Sequence, residues 1–391
     1  MNTDGLLAEV ERLRPLIAEH APDAEANRRL SAVVYDAMYS AGLFGMLAPK
    51  ARGGHEIHPV AYSQVIEAVA RIDAAAAWNL HMNQGFGCLA AWLPAAGVDE
   101  LYRDGIPTIA SAFNPPAAAV RADGGWRVTG RVPFASGCQN ARWLAMPAIE
   151  MVAGQPKTDP QTGQPTPMLV FFPRSVATIH DTWHTVGMRG TGSADIATTD
   201  LFIPDHLTAP VGPLRHPAPG FEGPLYRLWP WTLFLGETTV SIGIAAAAIQ
   251  QAVQLCQTKT AAYNTVALRD QQLVHYQMGK AQSRVSASRD TLHAAATAAY
   301  EEVSRTDALL SSDAKVRQTL AACFAVEACA EAVRFVDDVV GTSSVRLGAP
   351  FERHFRDVHV LMQHATKSNG VYGTAGRALL GLEPDRFWFI F

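Results

Sequence analysis

Long helical runs of small apolar residues fill the last part of this chain, and they restrict the fold more than any other feature. Apolar residues recur every three or four positions in these runs, and no strand-like segment separates them. The runs read "TVSIGIAAAAIQQAVQLCQTK", "LVHYQMGKAQSRVSASRDTLHAAATAAYEEV" and "VRQTLAACFAVEACAEAVRFVDDVV". Helices of this kind bury their apolar faces against one another, so the sequence predicts an antiparallel bundle of helices.

Two further zones precede this bundle. Residues 1 to about 106 also carry apolar residues at helical spacing, as in "LSAVVYDAMYSAGLFGML". From residue 107 to 217 the pattern changes to short alternating or β-branched runs, such as "WRVTGRVPFASG" and "IATTDLFIP". The sequence therefore predicts an α+β fold that is mainly α: an N-terminal helical domain (1–106), a small central β-barrel or β-sandwich domain (107–217) and a C-terminal four-helix bundle (218–391).

The composition is that of an ordinary globular protein. The chain has 391 residues, of which 48% are hydrophobic and 17% charged, and its formal net charge of −4 gives no electrostatic footprint for nucleic acid or an anionic membrane surface. We expect no secretory signal at the N-terminus and no segment long and apolar enough to span a bilayer. The five cysteines are scattered and odd in number, which favours free thiols in a cytoplasmic protein.

Several familiar chemistries lack their motifs in this sequence. The glycines of "GMRGTGSAD" do not follow the G-x-G-x-x-G spacing, and a strand-like run follows them, so a nicotinamide dinucleotide site is not expected. The sequence has no P-loop and no G-x-S-x-G turn. The histidine pairs in "HEIH" and "HDTWH" have no third and fourth ligand at a usable spacing, so we expect no metal site.

Three segments carry a resemblance to a known family. They are "DGGWRVTGRVPFASGCQNARWL", "WHTVGMRGTGSADIATTDLFIP" and "VVGTSSVRLGAPFERHFRD". With the order of the three zones, they resemble the acyl-CoA dehydrogenase fold over nearly the whole chain. The resemblance implies that the "FAS" triplet packs on a flavin and that the turn before "RD" approaches the flavin phosphate. The flavin contacts that it implies are Phe134, Ser136, Trp183, Thr191, Ser193, Gly341, Thr342, Ser343 and Ser344.

The stretch "RDVHVLMQHATKSN" separates this chain from the common dehydrogenases of that fold. Those enzymes continue after Arg-Asp to Tyr-Glu-Gly-Thr, whose glutamate takes the substrate's α-proton. Here His364 falls in the Tyr slot and Ala365 in the Glu slot, so the carboxylate base is missing. This pattern resembles instead the two-component monooxygenases that use reduced flavin, such as the oxygenase components of p-hydroxyphenylacetate hydroxylase.

That branch implies roles for individual residues. Ser136 would lie near flavin N5, His364 would face the substrate side of the ring, and Asn114 would be a third polar residue of the pocket. His81, in "WNLHMNQ", is a further catalytic candidate. An imidazole with an ordinary pKa of about 6.5 can take a proton from a phenol at neutral pH. The aromatic residues suited to a flat apolar substrate are Trp78, Phe113, Trp229, Trp231 and Phe234.

The resemblance thus implies an oxygenase that receives reduced FMN or FAD from a separate NAD(P)H:flavin reductase. With dioxygen it would form a C4a-hydroperoxyflavin and transfer one oxygen atom to a small aromatic, phenolic or heteroatom-containing substrate, with no metal. Such a hydroperoxide survives only where water is excluded. Relatives of this fold are usually homotetramers, and we expect the same here.

Other interpretations remain open from the sequence. The chain could be an acyl-CoA dehydrogenase or a nitro or amine oxidase whose base is Glu237, in "LFLGETTVSIG", although a buried glutamate is more often part of an ion pair. It could also be a flavin-free binding or assembly protein. Taken singly, Ser136 could be a turn residue and His364 a core histidine. His359, five residues earlier, is expected to be structural.

Overall fold

The structure is a computed structural model that describes residues 1–160, 163–214, 216–262, 264–306, 308–367 and 369–391. Its first zone is helical. The helices are α1 (Thr3–Asn27), α2 (Ala32–Ser40), α3 (Pro59–Ala70), α4 (Ala74–Gly85) and α5 (Ala95–Leu101). Side chains that accept hydrogen bonds from the first turn fix where three of them begin, with His58 accepting from the Val60 amide at the start of α3. Asn2 caps α1, and Asp73 caps α4 through the Ala76 amide at 2.6 Å.

The second zone is a sheet of nine strands within the described residues. The strands are β1 (Ile109–Ser111), β2 (Ala117–Ala122), β3 (Gly125–Ala135), β4 (Trp143–Val152), β5 (Gln155–Pro156), β6 (Pro167–Pro173), β7 (Thr178–His180), β8 (Ala194–Pro204) and β9 (Thr208–Pro210). Their main order is β7-β8-β3-β2-β4-β6-β9, and β1 and β5 both pair with β4. Gly125, Val128, Val132 and Ala135 are the buried residues of β3, and their spacing departs from strict alternation because the pairing with β8 shifts register between Val128 and Gly130 and between Val132 and Ala135.

The third zone is helical again. Its helices are α6 (Pro224–Arg227), α7 (Trp231–Cys256), α8 (Gln272–Thr306), α9 (Ser312–Val340), α10 (Pro350–Met362) and α11 (Asn369–Leu379). The long helices α7, α8 and α9 pack along one another, and α10 packs on both α7 and α9. The predicted fold class and the predicted order of helical, β and helical zones are therefore confirmed.

The predicted domain boundaries fall in the connections between these zones. The first strand begins at Ile109 and the last ends at Pro210, while α6 begins at Pro224. The boundaries after residues 106 and 217 thus cut no helix or strand of the described chain. They stay predictions, because α7 also packs on α3 and α4 of the first zone and the zones share one core.

One expectation about the sequence was wrong. Helix α7 (Trp231–Cys256) is long and apolar enough to cross a membrane by length and composition, whereas we expected no such segment. The reason is its place in the fold. It lies in the core of the protein, and 89% of its most apolar window is buried.

Helices α7 and α4 approach so closely that a glycine is needed between them. A Cβ at Gly236 would lie 2.1 Å from Nδ1 of His81, far below any real contact. The His81 ring cannot move easily, because it is fully buried and its Nδ1 lies 2.7 Å from the Tyr62 hydroxyl. This contact sets the spacing between the helix that carries Trp78 and the helix that carries Glu237.

We therefore expect Gly236→Ala to destabilise the protein by roughly 1–3 kcal/mol, the usual cost of overpacking a core. The matched control is Gly279→Ala on α8, where a Cβ would meet nothing within 4 Å and helix propensity favours alanine by about 1 kcal/mol. Urea unfolding followed by circular dichroism measures both changes. Equal stabilities of the two variants would show that the α4–α7 contact relaxes freely.

Candidate active site

A cavity of about 1010 Å³ lies where the three zones meet. Helix α4 contributes Trp78 and Met82, the end of β3 contributes Phe134, and α7 contributes Phe234 and Glu237. The loop before β8, the turn after α10 and the C-terminal segment also contribute to its wall. Its size is at the upper end for ligand pockets, and most of its lining is apolar or aromatic.

The end of β3 is bent so that it points a hydroxyl at this cavity. The pairing of β3 with β8 shifts register between Val132 and Ala135, which is a bulge, and Phe134 adopts a left-handed φ of 65°. Such a backbone costs about 1–3 kcal/mol in a residue other than glycine, so the surroundings must hold it. Gly137 follows with a φ of 72°, at a point where a Cβ would lie 2.3 Å from Asn79 Oδ1. The bend leaves the Phe134 side chain 64% exposed and turns Ser136 inward.

Ser136 begins a continuous series of hydrogen bonds, which we call the hydroxyl chain. Trp78 Nε1 donates to Ser136 Oγ at 3.0 Å, and Ser136 Oγ lies 2.7 Å from Ser193 Oγ. Ser193 Oγ lies 2.8 Å from Thr191 Oγ1, which donates to the Met188 carbonyl at 2.7 Å. Ser136, Ser193 and Thr191 are all buried in the protein and all line the cavity.

A second polar group, which we call the Glu237 cluster, lies on another part of the wall. The buried Glu237 carboxylate accepts from Thr366 Oγ1 at 2.5 Å and lies 3.2 Å from Lys367 Nζ and 3.5 Å from His364 Nδ1. Lys367 Nζ also donates to Thr366 Oγ1 at 3.0 Å. Burial would raise the pKa of Glu237, but His364 and Lys367 outweigh it and hold that pKa below its usual value. Glu237 is therefore ionised.

The cluster also decides which nitrogen of His364 carries hydrogen. Burial lowers the pKa of His364, with Lys367 acting in the same direction and Glu237 opposing, so the imidazole is neutral at pH 7. Thr366 has one hydroxyl hydrogen and donates it to Glu237, so its 2.9 Å contact with His364 requires a hydrogen on Nδ1. Nε2 is then unprotonated. His364 lines the cavity, and its Nε2 is a hydrogen-bond acceptor.

The Arg-Asp pair of the sequence holds two parts of the wall together. Asp357 on α10 accepts from the Met188 amide at 2.5 Å, and Arg356 donates to the Val186 carbonyl. Arg353, one turn earlier, pairs with Asp73 at the start of α4. These bonds tie the loop of the hydroxyl chain to the helix that leads to His364. A Cβ at Gly187 would lie 2.6 Å from the Arg356 carbonyl oxygen, which shows how close that contact is.

Most of the residues singled out in the sequence line this one cavity. The lining includes Trp78, Phe113, Asn114, Phe134, Ser136, Trp183, Thr191, Ser193, Trp229, Phe234 and His364. The rings of Trp78 and His364 meet edge to face with centroids 5.5 Å apart, so the hydroxyl chain and the Glu237 cluster are neighbours through Trp78. The fold thus brings these predicted residues to one cavity, and the role of each residue stays a prediction.

Three predicted groups lie outside this lining. His81 is not part of the lining: it lies behind Trp78, fully buried, and burial lowers its pKa to about 3. The turn Gly341–Ser344 follows α9 and is separated from His364 by α10, which is 13 residues or about 20 Å long. Its predicted flavin contact is not made at this cavity within the described chain. Trp231 also lies outside the lining and packs on Phe234.

The sequence analysis did not predict the residues that hold Glu237 and His364 in place. Thr366 and Lys367 were not singled out, although both lie within three residues of His364 and a buried glutamate on α7 requires a partner of this kind. The C-terminal segment was missed as well. Asp385, Arg386 and Trp388 line the cavity. The signal was the aromatic ending "RFWFIF", which buried Lys315 fixes by donating to the Phe389 carbonyl at 2.7 Å.

Metal ligation has no candidate among the residues that the structure describes: no three His, Cys, Asp or Glu side chains are grouped so that they could hold an ion. The cavity, the hydroxyl chain and the Glu237 cluster form the donor set of the site. A flat aromatic cofactor fits this donor set. The exposed Phe134 ring and the edge-on Trp183, 6.0 Å away, border one part of the cavity, with Ser136 beside them.

Comparison with known proteins agrees with this reading. The sequence model "Acyl-CoA dehydrogenase, N-terminal domain" matches residues 10–112, and "Acyl-CoA dehydrogenase, C-terminal domain" matches residues 235–369. These two segments cover the first helical zone and the α7–α10 region, which together supply the Glu237 cluster and Trp78. They make up more than half of the chain.

Relatives over nearly the full length are oxygenases. The chain is 28% identical to an indole-3-acetate monooxygenase of Pseudomonas putida, covering 92% of this chain and 90% of the relative. It is 27% identical to an FADH(2)-dependent resorcinol hydroxylase, oxygenase component, of Rhizobium sp., covering 97% and 95%. XiaF from Streptomyces sp., solved with FADH2 and glycerol, has the same fold with a TM-score of 0.87 and 24% identity over 98% and 97%. The chain belongs to the acyl-CoA dehydrogenase superfamily, in its branch of flavin-dependent monooxygenase oxygenase components.

Proposed function

We propose that this protein hydroxylates a flat aromatic substrate that carries an O–H or N–H group, using reduced FMN or FAD and dioxygen. One observation carries the proposal: a single aromatic cavity contains both the Ser136 hydroxyl and a neutral His364 whose Nε2 is an acceptor. The names of the relatives, which include indole-3-acetate and resorcinol oxygenases, support an aromatic substrate of this class.

The residues present suit a bound flavin. Phe134, Trp183, Ser136, Thr191 and Ser193 would hold the ring system against the sheet side of the cavity. When bound in its reduced form, the flavin supplies the electrons that activate dioxygen. The protein's part is to keep water away from the ring and to orient the substrate, which the mostly apolar wall favours.

His364 would hold and accept the substrate's proton. A phenol or indole lying among Trp78, Phe113 and Phe234 can donate its hydrogen to Nε2 of His364, which raises electron density on the aromatic ring. Lys367 and Glu237 neutralise each other beside this point, so His364 meets a neutral O–H or N–H group next to a balanced ion pair. Asp385 and Arg386 are the charged residues of another part of the lining.

The geometry disfavours Glu237 as the base of a dehydrogenase. Its Oε2 accepts from Thr366 and is paired with Lys367, and its lowered pKa makes it a poor proton acceptor. Ala365, in the slot of the dehydrogenase glutamate, lines the cavity without any proton-transfer group. Neither position thus offers a free carboxylate base for abstraction of an α-proton from an acyl-CoA.

Three further features belong to the proposal. A separate NAD(P)H:flavin reductase supplies the reduced flavin, since the sequence has no nicotinamide fingerprint and one relative is named as an oxygenase component. The protein works in the cytoplasm, which agrees with five free, buried cysteines. It assembles as a homotetramer through exposed apolar side chains of the bundle zone, such as Leu273, Val345 and Leu347.

The direct test is a single turnover with isotope-labelled oxygen. Protein mixed anaerobically with reduced FMN or FAD and an aromatic panel that includes indole-3-acetate and resorcinol should, on addition of ¹⁸O₂, give a product with one ¹⁸O atom. NADH with oxidised flavin should give none until a reductase is added. Bleaching of bound oxidised flavin by an acyl-CoA would support the dehydrogenase alternative. Absence of flavin binding in both redox states would support a binding protein.

Removal of His364 should separate oxygen consumption from product formation. His364→Ala should still consume reduced flavin and oxygen, but product formation should fall roughly 10²- to 10⁴-fold, the usual contribution of a positioned acid–base group, while hydrogen peroxide rises. The matched control is His359→Ala on the same segment, whose Nδ1 contacts the Phe355 carbonyl at 2.6 Å outside the cavity. Normal coupling in His364→Ala would exclude the proposed role.

The pH dependence of coupling should follow the lowered pKa of His364. Nε2 accepts a proton only while the imidazole is neutral, and the folded-state pKa lies below 6.5, so coupling should persist as the pH falls through 6.5 and decline only at lower pH. The ratio of product to oxygen consumed, measured from pH 5 to 8, reports this directly. A decline centred at or above pH 6.5 would contradict the assignment.

A further inference from the structure

Arg386 is a charged residue of the cavity wall that belongs to neither the hydroxyl chain nor the Glu237 cluster. It lies in the C-terminal segment, and among the described residues of the lining it alone carries a permanent positive charge. Its guanidinium forms no hydrogen bond and no ion pair with any described residue. It lies over the Trp388 ring, with Cζ 5.7 Å from the ring centre. The wall therefore contains a cation whose hydrogen-bond donors have no acceptor within the described chain.

One of these donors is shielded from water as well. The Nε atom of Arg386 is buried and has no hydrogen-bond partner. Arginines at a surface usually direct their charged heads to water, so a shielded donor without an acceptor is uncommon. Such a donor costs free energy until an acceptor is supplied. A ligand that brings acceptor atoms to this part of the cavity offsets that cost.

The residues on either side of Arg386 hold it in place. On one side, the Asp385 carboxylate accepts from the buried Thr374 hydroxyl at 2.5 Å. On the other side, the buried Lys315 ammonium donates to the Phe389 carbonyl at 2.7 Å. Because the segment is fixed at both ends of Arg386, a ligand that binds there does not have to order a loop first.

The neighbouring charges leave Arg386 available to an anion. The Thr374 hydroxyl lowers the pKa of Asp385, so this carboxylate is ionised, but it is exposed to water, which screens its charge. It forms no ion pair with Arg386. Lys367, a second cation near the cavity, is buried and paired with Glu237 at 3.2 Å. An anionic group in the cavity thus finds its free counter-charge at Arg386.

Aromatic rings connect Arg386 with the part of the cavity where His364 lies. Phe234 contacts both regions: Lys367 Nζ lies 4.9 Å from the centre of its ring, and the Trp388 ring meets it edge to face at 5.7 Å. An aromatic molecule packed on Phe234 and Trp388 can direct an O–H or N–H group to His364 and an acidic group to Arg386.

We propose that Arg386 binds a carboxylate of the substrate, so that the substrate is an aromatic acid whose O–H or N–H group lies at its other end. The inference rests on the oxygenase function proposed above and makes Arg386 a specificity-determining residue. A carboxylate accepts two parallel hydrogen bonds from a guanidinium, a geometry that an uncharged amide does not reproduce. Hydrogen bonds between charged groups of this kind correspond to a roughly ten- to hundredfold change in a dissociation constant.

Pairs of ligands that differ only in this charge test the inference. Indole-3-acetate is compared with indole-3-acetamide, and 4-hydroxyphenylacetate with its amide, by titration calorimetry at pH 7, where the acids are ionised. Reduced FMN is present and oxygen is absent, so that no turnover occurs. The wild type should bind at least one acid roughly ten- to a hundredfold more tightly than its amide. Arg386→Gln should abolish this preference, and Arg386→Lys, which keeps the charge but not the planar fork, should retain part of it.

The matched control is Arg377→Gln on α11. Arg377 is exposed, donates to the Glu383 carbonyl at 2.9 Å and lies outside the lining, so the same loss of charge should leave the preference unchanged. Thermal unfolding establishes that the variants are folded. The dissociation constants of reduced FMN and of reduced riboflavin, which lacks the phosphate, should be the same in Arg386→Gln as in the wild type.

Three results would overturn the inference. They are a wild type that binds neither acid more tightly than its amide, a preference that survives in Arg386→Gln or is lost equally in Arg377→Gln, and weaker binding of FMN but not riboflavin in Arg386→Gln, which would assign Arg386 to the flavin phosphate. Any of these leaves the oxygenase function in place if a neutral phenol or indole still gains one ¹⁸O atom. Acid binding that depends on Arg386, without oxygenation of any aromatic, would instead remove the oxygenase function and keep the binding site.

Discussion

The buried carboxylate of Glu237 is the constraint on which the arrangement of this site depends. An ionised group inside a core costs several kcal/mol unless it is paired and hydrogen-bonded, and the loss of one partner of such a pair typically costs about 3–5 kcal/mol. Here Lys367 supplies the charge and Thr366 the hydrogen bond, both from the turn after α10. The turn is thereby fixed against α7, and His364, three residues from Lys367, is fixed with it.

The Glu237 cluster and the hydroxyl chain have one property in common: in both, a group that can only accept determines the direction of the hydrogen bonds. At the Glu237 cluster, an anion takes the Thr366 hydrogen and leaves His364 Nε2 as an acceptor. At the hydroxyl chain, a carbonyl takes the Thr191 hydrogen and leaves Ser136 as an acceptor. In each case the group that can only accept takes the hydrogen of the neighbouring hydroxyl. Since a hydroxyl has one hydrogen, that hydroxyl must then accept from the next residue. Both ends therefore favour molecules that bring their own hydrogens, such as a phenol or indole at His364.

Local patterns predicted much of this, because they depend on residues close in sequence. Helical spacing predicted the bundle, and the strand leading to Phe134, Ala135 and Ser136 placed Ser136 correctly at the cavity. The count from Arg356 and Asp357 did the same for His364. The sequence could not predict whether Ser136 and His364 are hydrogen-bond donors or acceptors, since that depends on contacts between distant segments. The contact of Glu237 with Thr366 spans 129 residues, and that of Ser136 with Ser193 spans 57. His81 was misplaced for a related reason. Its helix faces both the cavity and α7, and only the contact with Gly236 shows which side it takes.

Ala365 can be understood from the same electrostatics. A glutamate there, as in the dehydrogenases, would place a second carboxylate next to a cluster that already contains an ionised one, with Lys367 as the one cation paired to it in the described chain. Two carboxylates sharing one cation cannot both ionise cheaply, so one pKa would rise and the Thr366 hydrogen would no longer be directed to Glu237 alone. His364 would then lose its fixed tautomer. A base at this position and an acceptor at Nε2 of His364 are therefore alternative solutions within one fold, and this sequence has the second.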